Sequence, residues 1–260
     1  MPAIRMVLFG LAAVSLALLL VPLGAVWLQS LSGDIKGYSG GALGLEAYRR
    51  MVSDMSIIEP LKESAFVATL VTGISFILGI PVAVSAHLHS ERLRRSVAVV
   101  LFALLATPEL VGALTMSFSW SFLGSPSGAW SVALALAFVG TPIVALLVLG
   151  RLAEADISAI FVSAVTLGAS RWKAVLIVGR AMFLPTLGIA FTFVFVISIQ
   201  DFMYAFFAGR GGAQTLGVML YTSLRFGMNN SLYSMASILA ACTVLIAFAA
   251  TRYLGREHDD

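Results

Sequence analysis

Apolar and polar positions alternate on a long wavelength along this chain. Stretches of some twenty or more apolar residues are separated by short polar segments. A helix rises 1.5 Å per residue, so about 20 apolar residues cross the roughly 30 Å hydrocarbon layer of a bilayer. Six stretches meet that requirement: Val7–Leu28, Ala65–Ala86, Val97–Leu123, Ser131–Gly150, Leu184–Phe207 and Leu232–Tyr253. Four are nearly free of charge; the third contains Glu109 and the fifth Asp201. The first run, with Arg5 before it, is too long for a signal-peptide core and is followed by five more spans. The pattern predicts an all-α membrane protein of six transmembrane helices, forming one transmembrane domain over residues 1–260.

The polar segments between the spans are unequal. Residues 29–64 form the first, with a short amphipathic helix expected around Leu45–Met55 that carries Tyr48, Met51 and Val52 on one side. Residues 87–96 are a short basic turn, and Gly124–Gly128 (Gly-Ser-Pro-Ser-Gly) is a tight one. The longest loop on the basic side, residues 151–180, carries the most information. Asp156 is a suitable N-cap and Gly168 a suitable C-terminal residue. Between them Ile157, Ile160, Phe161, Ala164 and Val165 recur at the spacing of one helical face, with Ser158, Ser163 and Thr166 towards the other. A second helical start falls at Ser170 and leads through Trp172 and Lys173 into the fifth span. An apolar stripe on a helix outside the membrane must be covered by something. Spacing alone fits two arrangements, a helix on lipid headgroups anchored by Trp172 or a docking helix for a cytosolic partner.

Charge orients the bundle. With the N-terminus inside, Arg5, Arg92, Arg94, Arg95, Arg151, Arg171, Lys173, Arg180, Arg252 and Arg256 face the cytosol. Lys36, Arg49, Arg50, Lys62, Arg210 and Arg225 face outward, beside the acids Asp34, Glu46, Asp54, Glu59 and Glu63. The positive-inside rule prefers this arrangement, with both termini cytosolic. Composition agrees: of 260 residues, 60% are hydrophobic and 11% charged, against about 25% charged in a soluble domain. So much apolar side chain cannot be hidden in one aqueous core, which excludes a soluble enzyme. A formal charge of only +3, with arginines spread along the chain, argues for membrane orientation rather than nucleic-acid binding.

Several chemistries find no support. The single Cys242 excludes a disulfide framework and a cysteine-based metal site, and reads as a packing residue in mid-span. His87 and His89 are two apart, a spacing that joins them only on a strand, whereas this stretch ends a helix; no metal is expected. The only lysines are Lys36, Lys62 and Lys173, and none follows the glycine pattern of a phosphate-binding loop, so the chain is expected to bind no nucleotide or cofactor. Ser39-Gly40-Gly41 is read as a turn.

Two acids stand apart. A carboxylate within a span costs about 2.5–3.5 kcal/mol on insertion scales, so it faces a cavity or a partner. Glu109 and Asp201 are candidates for a cation-attracting lining, with interhelical hydrogen bonding as the structural alternative. Ser117, Ser119, Trp120, Gln200 and Tyr204 are weaker candidates for the same pathway, because helix packing also uses such residues. Pro81, Pro108, Pro142 and Pro185 sit in or beside spans, where each frees a carbonyl and bends the helix.

The segment Val162-Ser-Ala-Val-Thr-Leu-Gly168-Ala-Ser170, with Pro185 beyond it, resembles the cytosolic loop of ABC importer permease subunits. That family carries Glu-Ala-Ala, three residues, glycine and later an apolar-Leu-Pro element. Ala164, Leu167, Gly168, Ala169 and Ser170 fit, and Pro185 fits a later family proline. Val162 and Ser163 replace the first two positions, and Arg180-Ala181 falls where Leu-Pro is expected. These departures suit the less typical half of a heterodimeric permease. Pro108-Glu109-Leu110-Val111, and the spacing through Trp130 and Pro142 to Arg151-Leu152 and Asp156, resemble spermidine/putrescine-type permeases. Gln200-Asp201-Phe202, Thr215-Leu216 and Arg252-Tyr253-Leu254 also resemble carbohydrate permeases.

The resemblance implies a type I importer permease fold with a coupling helix between the fourth and fifth spans. It implies a transport subunit in the bacterial inner membrane, without its own ATPase site, that imports a small polar or cationic solute, a polyamine first and a sugar second. The implied partners are a second permease subunit, two cytosolic ATPase subunits that bind ATP and Mg, and an extracytoplasmic solute-binding protein. Residues Ile157, Ile160, Phe161, Ala164, Val165 and Leu167–Ser170 would then form the ATPase-docking surface. Two other classes compete. An ion-coupled secondary carrier would show internal repeats, and none is visible between the halves. An intramembrane enzyme would need a convergent nucleophile and base, which the sequence lacks.

Overall fold

The structure, a computed structural model, describes residues 2–31, 44–124, 127–154, 157–226, 233–241 and 243–244. Ten helices are delimited: α1 (Pro2–Leu31), α2 (Glu46–Ser53), α3 (Met55–Leu88), α4 (Glu91–Ala106), α5 (Glu109–Leu123), α6 (Ala129–Glu154), α7 (Ile157–Thr166), α8 (Arg171–Ile199), α9 (Met203–Ala208) and α10 (Leu216–Phe226). Residues 233–241 are also helical, and no strand occurs among the described residues. Asp156, Cys242, Arg252-Tyr253-Leu254, Ser39-Gly40-Gly41 and half of the expected sixth span lie outside the described residues, as do the side chains of Ile157, Phe161 and Trp172.

Among the described residues, two helices are long and apolar enough to cross a membrane by themselves, α3 and α6. The pair α4 and α5 forms a third candidate if its 95° bend lies within one span. The expected single helix over Val97–Leu123 is thereby corrected. Pro108 supplies no N–H to the helix and drives the preceding residue out of the helical region. Thr107 accordingly adopts φ −64°, ψ 126° and Pro108 φ −54°, ψ 131°. The helix restarts when the Gly112 amide donates to the Pro108 carbonyl at 3.1 Å. The expected span Leu184–Phe207 is also interrupted. Its helix, α8, begins at Ser170, whose hydroxyl accepts from the Lys173 amide, and stops at Ile199; α9 resumes at Met203.

The chain divides into two compact units, residues 1–59 with 220–249 and residues 60–219 with 250–260. In the first, a relay of hydroxyls ties α2 to its neighbours. Tyr48 Oη lies 2.8 Å from Ser30 Oγ of α1 and 2.7 Å from Ser237 Oγ. Ser237 Oγ in turn donates to the Ser234 carbonyl at 2.7 Å. Tyr48 and Met51 are half-buried, as the amphipathic reading of α2 requires, but Val52 is exposed and does not share their side.

In the second unit α6 runs through the core. Val132, Ala133, Ala135, Leu136, Val144 and Val148 are all buried. Small side chains let neighbouring backbones approach, which substitutes for hydrophobic attraction where lipid is the solvent. A Cβ at Gly79 of α3 would stand 2.9 Å from the Thr141 carbonyl oxygen of α6, and one at Gly140 would overlap Ser75 Oγ. Phe66 of α3 meets Trp130 of α6 edge to face, with ring centroids 6.1 Å apart. The N-terminal end of α3 also closes the start of α10. Ser64 Oγ accepts from the Leu216 amide at 2.8 Å, and Glu63 Oε2 from the Gln214 amide at 2.9 Å. Glu63 therefore holds the chain just before α10, besides being an acid of the first polar segment.

Candidate functional site

The two interrupted helices meet at their breaks. Short α9 packs against α5, and the acids singled out from the sequence occupy the first turn of α5 (Glu109) and the residues just before α9 (Asp201). Asp201 is 7% exposed. Its Oδ2 accepts from the Ala205 amide at 2.9 Å and its Oδ1 lies 3.4 Å from the Tyr204 amide. These are amides that the start of a helix leaves without backbone partners, so the carboxylate fixes where α9 begins. Nothing else in the stretch stops the helix, because Gln200-Asp201-Phe202 holds neither proline nor glycine.

Glu109 is exposed, and its carboxyl lies within hydrogen-bonding and electrostatic range of Asp201. Tyr204, 2% exposed, feels both acids, and its Oη rests against Gly112 so closely that a Cβ there would overlap it. The start of α10 presses on the same break, since a Cβ at Gly217 would overlap the Asp201 carbonyl oxygen. Three residues proposed from sequence as pathway groups, Glu109, Asp201 and Tyr204, thus form one cluster. One acid is held in the protein by backbone amides. The other, Glu109, is exposed at the start of α5.

The remaining candidates are not joined to this cluster by any described contact. Trp120 packs against the hydrophobic core, with Nε1 buried and unpartnered among the described residues. The Ser117 carbonyl accepts from Ser121 Oγ at 3.0 Å, and Ser119 Oγ donates to the Thr115 carbonyl at 2.8 Å, which are contacts within α5. Gln200 is exposed at the end of α8. Gly112 and Gly217 were not apparent from the sequence as parts of the site. Their only signal was the absence of a side chain beside a residue far away in the chain.

Asp201 also makes a local prediction. Asp201→Ala should lower the stability of the purified protein by about 1–2 kcal/mol, the usual loss for a capping side chain, whereas Asp201→Asn, which keeps an acceptor oxygen, should lose less. Thermal unfolding followed by circular dichroism checks the order.

The second candidate region is α7. It ends as its sequence requires. Gly168 has φ +93°, and the Ala169 amide donates to the Ala164 carbonyl at 3.1 Å while the Gly168 amide donates to the Val165 carbonyl at 3.0 Å. This is the paired closure that a glycine in the left-handed region permits. Along α7 and the turn after it, Ile160, Val162, Val165 and Leu167 are all exposed, Leu167 to 89%. Ala164 and Ala169 are half-buried, and Gly168 and Ser170 are exposed.

No family model matches the chain. Its fold is that of ABC importer permeases. The chain superposes on one from a bacterial ABC transporter involved in the import of the acidic polysaccharide alginate with a TM-score of 0.68, at 14% identity and covering 96% of each chain. It superposes on one from the inward-facing MetNI methionine ABC transporter with a TM-score of 0.60, at 22% identity over 76% of this chain and 94% of that one. Its homologues in sequence are polyamine permeases. The spermidine/putrescine transport system permease protein PotC of Escherichia coli K12 is 20% identical, with 95% of this chain and 93% of the relative covered. PotC of Haemophilus influenzae is 23% identical, with 91% and 93% covered. The putrescine transport system permease protein PotI of Escherichia coli K12 is 25% identical, with 80% and 76% covered. The resemblance drawn from the inner loop and from Pro108-Glu109 is therefore borne out.

Proposed function

We propose that this chain is a permease subunit of an ATP-driven importer and forms half of the pathway for a small cationic solute of polyamine type. The observation that carries the cationic assignment is the Glu109–Asp201–Tyr204 cluster at the meeting of two helix breaks, in a chain homologous to polyamine permeases over most of its length. A diamine offers separated ammonium groups, and a reachable carboxylate backed by a second acid and a tyrosine attracts such a group more than a neutral one. A carbohydrate remains the second reading, favoured by the likeness to the alginate transporter.

In this reading the six apolar stretches form one permease domain in the bacterial inner membrane, with both termini cytosolic. A second, different permease subunit completes the pathway, and an extracytoplasmic binding protein delivers the solute. Two cytosolic ATPase subunits bind ATP and Mg; this chain binds neither. Helix α7, through Ile157, Ile160, Phe161, Ala164, Val165 and the turn Leu167–Ser170, is the coupling helix on which one ATPase sits. ATP can drive transport only if the ATP-bound partner favours one arrangement of the spans over another. The exposure of Ile160 and Val165, two members of the apolar face read from the sequence, supports the docking role, since such a face needs a cover.

Reconstitution in liposomes tests the class. The chain with its partner permease and ATPases should accumulate radiolabelled putrescine only when ATP and binding protein are supplied. Accumulation by the permease alone, driven by an ion gradient, would instead identify a secondary carrier.

A further inference from the structure

A cavity of about 390 Å³ opens between the beginning of α4 and the end of α6, away from the acidic cluster. Its α4 wall repeats every fourth residue, Arg94, Ala98 and Phe102, which lie on one face of the helix. Leu146, Leu149 and Gly150 form the opposite wall. The floor is hydrocarbon, and the charge is confined to the rim. There the single carboxylate of Glu91 pairs with both Arg94 and Arg95, the latter through Nε at 3.1 Å. Two guanidinium groups share one carboxylate, so the rim keeps a positive charge. The Arg95 side chain is 78% exposed, leaving N–H donors free to turn towards an added anion.

A ligand for this shape must be apolar over most of its length and anionic at one end. A small soluble anion has no use for the hydrocarbon floor. A peptide would bury backbone groups that the floor cannot satisfy. A phospholipid meets both demands, because arginine pairs bind phosphate through parallel hydrogen bonds, and basic pockets between helices at headgroup level select acidic lipids. Gly150 gives the groove its depth, for a Cβ built there meets no atom within 4 Å. We propose that this groove binds one anionic phospholipid, with its phosphate on Arg94 and Arg95 and an acyl chain lying along Ala98, Phe102, Leu149 and Gly150. The site requires the chain to be embedded in a membrane and does not depend on which solute it imports.

The test uses the full-length chain, purified in mild detergent and offered equal amounts of phosphatidylglycerol and phosphatidylcholine, with bound lipid counted by native mass spectrometry. The wild type should retain phosphatidylglycerol at least tenfold more than phosphatidylcholine. Gly150→Leu should fill the groove and remove the retained lipid. This replacement takes a glycine out of a helix interior and meets open space, so the fold should tolerate it. The double variant Arg94→Gln/Arg95→Gln should abolish the preference between the two lipids. Equal retention of both lipids by the wild type would overturn the assignment. So would undiminished phosphatidylglycerol on Gly150→Leu, or a preference that survives loss of both arginines.

Discussion

Leu167→Asp is expected to abolish ATP-driven uptake while the protein remains in the membrane at its normal level. Leu167 is 89% exposed and follows the last turn of α7, so an aspartate there removes no packing contact from the chain itself. Surface substitutions away from special features usually change stability by less than about 0.5 kcal/mol. At an interface the balance reverses. An apolar anchor in the centre of a docking surface commonly carries about 2 kcal/mol or more, and a carboxylate left buried and unpaired adds a further penalty. Uptake should therefore fall at least thirtyfold, and the ATPase subunit should no longer co-purify. Membrane fractionation and quantitative blotting check the level of the variant; a pull-down from solubilised membranes checks the partner. Normal uptake by Leu167→Asp would remove α7 from the coupling path.

The second large effect concerns the acidic cluster. Glu109→Gln should reduce uptake of a diamine by about tenfold or more while a neutral solute carried by the same assembly loses much less, because removing one charge at a partly desolvated site is worth more than about 1.4 kcal/mol to a cation. Glu109 is exposed and is not a cap for α9, so the change leaves the break at Gln200–Phe202 intact. Asp201 cannot serve as the cleaner probe, since its carboxylate accepts from the Ala205 amide. Equal loss for both solutes would assign Glu109 to structure.

What could be read from the sequence divides along physical lines. The end of α7 and the start of α8 are legible because capping is local: Gly168 supplies the left-handed residue and Ser170 the acceptor for the next helix, both within a few positions of what they close. Close helix contacts in the second unit are different, because the partner of a glycine lies far away in the chain. Gly79 matters only because Thr141 lies against it, and Gly112 only because Tyr204 does. The break at Thr107-Pro108 has a signal in the proline, which by itself predicts a bend within one span. The structure turns it into a 95° change of direction. Proline determines where a helix yields, while the packing of α5 on α9 bears on how far. The break before α9 had a fainter signal, an aspartate in an otherwise apolar run. As a charge within a span Asp201 points to a pathway, and its hydrogen bonds make it a helix cap as well. The meeting of Glu109 with Asp201 had no local sign at all, since it joins two helices separated by most of the second unit.

Photo-crosslinking tests most directly whether α7 is gripped by a nucleotide-hydrolysing subunit. A benzophenone amino acid placed at position 167 in intact cells should yield, on illumination, one dominant protein adduct. Its partner should contain a phosphate-binding Gly-x4-Gly-Lys-Ser/Thr loop, and its yield should change when cellular ATP is depleted. A label found only on phospholipid, with no protein attached, would contradict the account and leave α7 as a helix that lies on the membrane surface.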